Sequence, residues 1–187
     1  MQEGASAKQI AGAVTRDEAM GYRVDLVQGT ERTIIGVIGD DRPLFTGQVA
    51  WPGDPLYEHG RRAFNGRFDR YPAGIVFCAG SEDVQNAITW ARAQEVPICV
   101  RSGGHSYEGY SVLDNRLLID LSGLTHLEVD HAAGTATVGP GVRLLDLYRA
   151  LAAEGVAIAG GTCPGVGLGG LILGGGVGFR SRRDGLT

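Results

Sequence analysis

Between residues 74 and 159 short apolar runs alternate with segments of helical spacing. GIVFCA at 74–79 is compact, apolar and rich in strand formers, and it predicts a buried strand. Ser81 is placed to cap a helix, with Glu82 and Asp83 in the first turn where the helix dipole favours negative charge. Val84, Ala87, Ile88 and Ala91 continue at helical spacing to about Gln94. VPICV at 96–100 and RLLIDL at 116–121 predict two more strands, and residues 126–130 and 135–138 a hairpin closed by His-Ala-Ala-Gly. A helix over 142–153 is expected to present Leu144, Leu145, Tyr148 and Leu151 on one face. Gly155 stands where a helix end prefers glycine, and residues 156–159 predict a last strand.

The ends of the chain are less patterned. Over residues 1–40 only IIGVI at 34–38 suggests a strand, and this part is taken as a variable lead preceding a domain over 41–187. WPGDP at 51–55 is a turn cluster, residues 56–68 suggest one short helix and a loop, and Tyr71-Pro72 forces an extended step. No closing element follows residue 179, so the domain is expected to be truncated at its C-terminus.

Two loops break the alternation, each leaving the end of a predicted strand. Residues 101–106 read Arg-Ser-Gly-Gly-His-Ser, and residues 160–179 read GGTCPGVGLGGLILGGGVGF. Ten of those twenty residues are glycine, interleaved with Val, Leu and Ile. A flexible linker would be polar, so the stretch predicts a turning, buried backbone that something flat or anionic approaches closely. Gly165, Gly167 and Gly170 fit G-x-G-x-x-G, but Gly174–176 would end any helix at once, which argues against a doubly wound dinucleotide fold.

Composition narrows the options. The 187 residues are 43% hydrophobic and 20% charged, an ordinary globular balance, and the formal net charge of −4 leaves no basic footprint for nucleic acid. No apolar run reaches membrane-spanning length and no export leader is recognisable, so a cytoplasmic protein without a membrane partner is expected. Three cysteines give no disulfide framework and no metal-ligand spacing; Cys78 and Cys99 are expected to be buried in strands. His105 and Cys163 remain, one on each glycine loop, both nucleophilic when deprotonated. Tyr107, Glu108 and Tyr110 are taken as packing or loop residues.

RSGGHSYEGYSV at 101–112, followed by the glycine stretch, resembles the FAD-binding half of berberine-bridge-enzyme-like oxidoreductases, which share the PCMH-type (vanillyl-alcohol-oxidase) FAD fold. WPGDPLYEHGRRAFNGRFDRYPAGIV and RDGLT are similar to the segments flanking those motifs in that family. The resemblance implies an α+β domain of two small subdomains. It implies FAD joined to His105, and in bicovalent members also to Cys163. Arg101, Ser102, Gly103, Gly104, Ser106, Gly165, Gly167, Gly169, Gly170 and Gly174 would wrap the cofactor. It implies hydride transfer from a small alcohol, sugar or secondary metabolite to the flavin, with molecular oxygen as the acceptor. Leu171 replaces the histidine that plant-type members carry after the Gly-Gly pair. No residue here matches the family's catalytic base. Two alternatives stay open: a non-covalent FAD dehydrogenase of the same fold, and an inactive fragment or nucleotide-binding module.

Overall fold

The computed structural model describes residues 14–17, 21–24 and 45–187, and the chain divides into two units, 1–42 and 43–187. In the first, β1 (Val14–Asp17) and β2 (Gly21–Val24) pair antiparallel. The strand expected at 34–38 lies outside the described residues.

The second unit begins with a four-stranded sheet. Its order is β3 (Gln48–Ala50), β4 (Gly74–Phe77), β6 (Leu117–Asp120), β5 (Ile98–Arg101). The strands β4, β6 and β5 are parallel, and β3 closes one edge antiparallel. Four consecutive residues of β6 are buried, as expected of a strand covered on both faces. The helix α1 (Pro55–Gly60) packs Tyr57 into a core with Ala50, Ile75, Cys99, Val112 and Leu118. The crossover from β4 to β5 is α2 (Ser81–Ala93), which buries Ala87, Trp90 and Ala91 while leaving Ile88 exposed.

The expected capping of α2 is corrected in one respect. Gly80 is the N-cap and Ser81 already lies inside the helix. No side chain caps the helix; the carboxylate of Asp83, in its first turn, instead accepts from the backbone N–H of Ala79, Thr46 and Gly47 and from the Thr46 hydroxyl. Burial pushes the Asp83 carboxyl up, but these four donors outweigh it and hold it below the usual carboxylate range. The same side chain therefore ties the turn before α2 to the lead into β3, a strand the sequence pattern did not reveal.

A second core forms beyond residue 126. The hairpin of β7 (Leu127–Asp130) and β8 (Thr135–Val138) packs with α3 (Leu144–Ala153) and α4 (Leu168–Gly174) around Val142, Leu144, Leu147, Leu151, Leu168 and Leu171. The hairpin turn is built by Asp130, whose Oδ1 accepts from the amides of Ala132 and Ala133, with Gly134 at φ +64°. Gly155 ends α3 at φ +72°, as its position suggests. Two expectations fail here. Leu147, not Leu145, is the buried partner of Leu144 and Leu151, because an i, i+3, i+7 face excludes i+1. Among the described residues, 156–159 pair with no strand, and Val156 and Ile158 are exposed. The last helical turn is α5 (Ser181–Asp184). No described helix is long and apolar enough to cross a membrane.

Candidate functional site

The first glycine loop is set by a buried ion pair. Arg101, last in β5, and Asp120, last in β6, are register partners across a parallel ladder, so their side chains share one face. The guanidinium donates from Nε and Nη2 to Oδ2 of Asp120 at 2.5 Å, and both side chains are buried. The other carboxylate oxygen accepts from the amide and hydroxyl of Ser122. The remaining arm of Arg101 donates to the carbonyl of Arg62 at 3.1 Å. Arg101 is thus a scaffold residue that fixes the loop root.

Beyond it the backbone leaves the sheet. Gly104 is buried and turns at φ +72°. Among the described residues, none of the amides of residues 102–106 donates to a protein acceptor. Consecutive undonated amides around a glycine turn form an anion-binding concavity, and an anion of pyrophosphate size fits that donor set.

The two glycine loops touch each other. A Cβ on Gly103 would overlap the Gly167 amide, and a Cβ on Gly167 would overlap Ser102 Oγ and the Gly103 amide. Glycine is required at both because two backbones meet. The Ser102 hydroxyl donates to the Pro140 carbonyl at 2.6 Å, and the Gly169 amide reaches the same carbonyl at 3.0 Å. Gly165 lies against the imidazole: a Cβ there would stand 3.3 Å from Nε2 of His105. His105 stacks on Phe64 with ring centroids 4.1 Å apart and 19° between planes. Burial pushes its pKa down, the Arg143 charge lowers it further, and hydrogen bonding to the Gly165 backbone opposes both; the net shift is downward. The ring is therefore neutral at pH 7, the state in which an imidazole nitrogen is nucleophilic.

The second loop is not all turning backbone, as expected, but contains α4. The G-x-G-x-x-G glycines do open a helix. The segment feeding it is an isolated antiparallel bridge of Gly167 to Arg143, not a parallel strand, and Gly175 at φ +78° ends the helix after two turns. Gly170 and Gly174 have nothing within 4 Å of a built Cβ, so this side of α4 offers open space. Cys163 is exposed two residues before Gly165, whereas Cys78 and Cys99 are buried and burial raises both thiols. Tyr107 and Tyr110 do not pack; they are exposed on the loop after His105. Ser106 caps that loop through Oγ, which accepts from the Tyr110 amide. Among the described residues, no cluster of three or more His, Cys, Asp or Glu side chains could hold a metal.

The loop at the end of β5, the undonated amides and the glycine-lined opening suit a nucleotide cofactor domain. Residues 72–187 match the family described as FAD binding domain, and the chain belongs to that family. Residues 1–51 match a different one, the DAHP synthase ferredoxin-like domain. The chain is 41% identical over 147 residues to the uncharacterized FAD-linked oxidoreductase YgaK of Bacillus subtilis, covering 79% of this chain and 33% of that protein. The structure of Physcomitrella patens BBE-like 1 superposes with a TM-score of 0.73 at 43% identity, covering 75% of this chain and 31% of that one. Xylooligosaccharide oxidase from Myceliophthora thermophila, solved with xylobiose, gives 0.70 at 36% identity, with coverages of 75% and 30%. The chain therefore spans about a third of the length of the relatives it matches.

Proposed function

We propose that this chain is the FAD-holding portion of an oxidoreductase that oxidises a small alcohol, sugar or secondary metabolite, with molecular oxygen as electron acceptor. The observation that carries it is the juxtaposition of undonated amides at 102–106 with His105 held against Gly165. Bound FAD would supply the hydride-accepting chemistry. The amides of residues 102–106 would hold the pyrophosphate. Gly165, Gly167, Gly169, Gly170 and Gly174 would keep the second loop free of side chains beside the ring. His105 would tether the flavin covalently, and Cys163, exposed near the start of the second glycine loop, would provide a second attachment.

Acid precipitation of the FAD-loaded protein, followed by mass spectrometry of its peptides, tests the assignment. Flavin mass on the His105 and Cys163 peptides is expected. Replacement of Cys163 by Ser should leave flavin on the His105 peptide alone. Complete release of flavin into the supernatant by wild-type protein would refute covalent attachment and leave a non-covalent FAD site.

A further inference from the structure

Phe64 is the one aromatic side chain in contact with His105 among the described residues, and no sequence motif pointed to it. It is 74% exposed, so its own burial contributes little to the core. Its placement is nevertheless closely determined. Arg101, held by Asp120, donates to the carbonyl of Arg62, and the Phe64 amide donates to the carbonyl of Gly104 at 3.1 Å. These two hydrogen bonds on either side of Ala63 dock the segment onto the loop that carries His105. The Phe64 ring then lies nearly parallel to the imidazole. An exposed aromatic ring delivered by two backbone tethers onto one histidine gains little as a core element and constrains that histidine strongly.

We propose that Phe64 is a positioning residue that holds the plane of the His105 imidazole for attachment to the flavin. The inference rests on the covalent function proposed for His105. Gly165 borders the ring at Nε2, and Phe64 covers one ring face, so rotation of the imidazole about χ2 would break the stack with Phe64. Restricting a nucleophile to its reactive orientation is worth orders of magnitude in rate. Attachment forms one C–N bond to the methyl carbon on the benzenoid ring and breaks one C–H and one N–H bond. The two electrons and two hydrogens released are taken up by the same flavin, and dioxygen then accepts them to give hydrogen peroxide.

The test follows covalent loading of the full chain with FAD in air, by flavin mass on the His105 peptide over time, for wild type, Phe64→Leu and Phe64→Tyr. Phe64→Leu retains apolar bulk but no ring plane. Loading slowed at least tenfold by Phe64→Leu and returned to near the wild-type rate by Phe64→Tyr is expected. The ring-proton NMR shifts of His105 in flavin-free protein give a readout independent of turnover. They should move downfield in Phe64→Leu as the stacked ring is lost, and remain near wild type in Phe64→Tyr. Equal loading rates for wild type and Phe64→Leu would overturn the positioning role while leaving His105 attachment standing. Wild-type protein that acquires no flavin on His105 would overturn the covalent function itself, and the inference with it.

Discussion

Replacing Asp120 by Ala removes the acceptor of a buried guanidinium. The carboxylate receives two donors from Arg101 and two from Ser122, and Asp120 is 1% exposed and Arg101 8%. The variant therefore leaves a buried positive charge without a partner, a change that typically costs about 3–5 kcal/mol. Against a total stability of about 5–15 kcal/mol for a domain, that is a large fraction. Urea unfolding monitored by the fluorescence of Trp51 and Trp90, whose rings meet edge to face at 6.1 Å beside the sheet, measures it. The double variant Arg101→Met with Asp120→Leu should recover most of the loss, because an apolar pair of similar volume removes both desolvation costs. Ser122 is exposed and can turn to water. The double variant should still lose the tether from Arg101 to the Arg62 carbonyl, and with it the ring-current shift of His105. An Asp120→Ala cost below about 1 kcal/mol, the range of solvent-exposed pairs, would show that the pair is hydrated and does not set the loop root.

Four shorter predictions rest on the same geometry. Gly167→Ala should part the two loops and destabilise by about 1–3 kcal/mol, the usual cost of overpacking. Gly170→Ala, with open space at its Cβ, should stabilise the flavin-free protein by about 0.5–1 kcal/mol and weaken FAD retention; a Gly170→Ala variant that binds FAD like wild type would remove α4 from the cofactor contact. Asp83→Ala should cost about 1–3 kcal/mol by stranding its donors, seen as a lower urea midpoint. The lowered pKa of His105 means that the unfolded chain takes up the proton first as pH falls from about the ordinary 6.5. Its contribution to stability is complete above that value and is lost as pH falls toward the folded pKa. His105→Gln should flatten that part of the stability profile, as measured by thermal melts across pH.

Most of the fold was legible because its signals are local. The strands β4, β5 and β6 are short apolar runs between breakers, and the β7 to β8 turn carries an Asp and a Gly at the positions its hydrogen bonding requires. The failures share one cause, a tertiary partner invisible along the chain. The three residues of β3 form a strand only because β4 offers an edge and Asp83 clamps the approach. Residues 156–159 have strand composition without an edge to join. Helix α4 forms despite three glycines because Leu168 and Leu171 bury one face against α3, and burial outweighs the roughly 1 kcal/mol that each glycine costs a helix.

The same distinction separates what glycine density reveals about the site from what it hides. A run of glycines announces that a backbone must come close to something, but it does not name the neighbour. At Gly103 and Gly167 the neighbour is the other loop, since each Cβ would collide with the opposite backbone. At Gly170 and Gly174 no atom of the described residues beyond α4's own backbone comes within 4 Å of a Cβ position. Alanine replacements at the first pair therefore probe how the loops meet and those at the second probe the proposed cofactor contact, although Gly167, Gly170 and Gly174 belong to one glycine stretch in the sequence. His105 stood out because of its motif. Burial, the Arg143 charge and the Gly165 backbone shift its pKa and Phe64 stacks on its ring, and only folding brings these together. The residues that attract attention in the sequence are those that would meet the flavin; those that prepare them are read from the contacts.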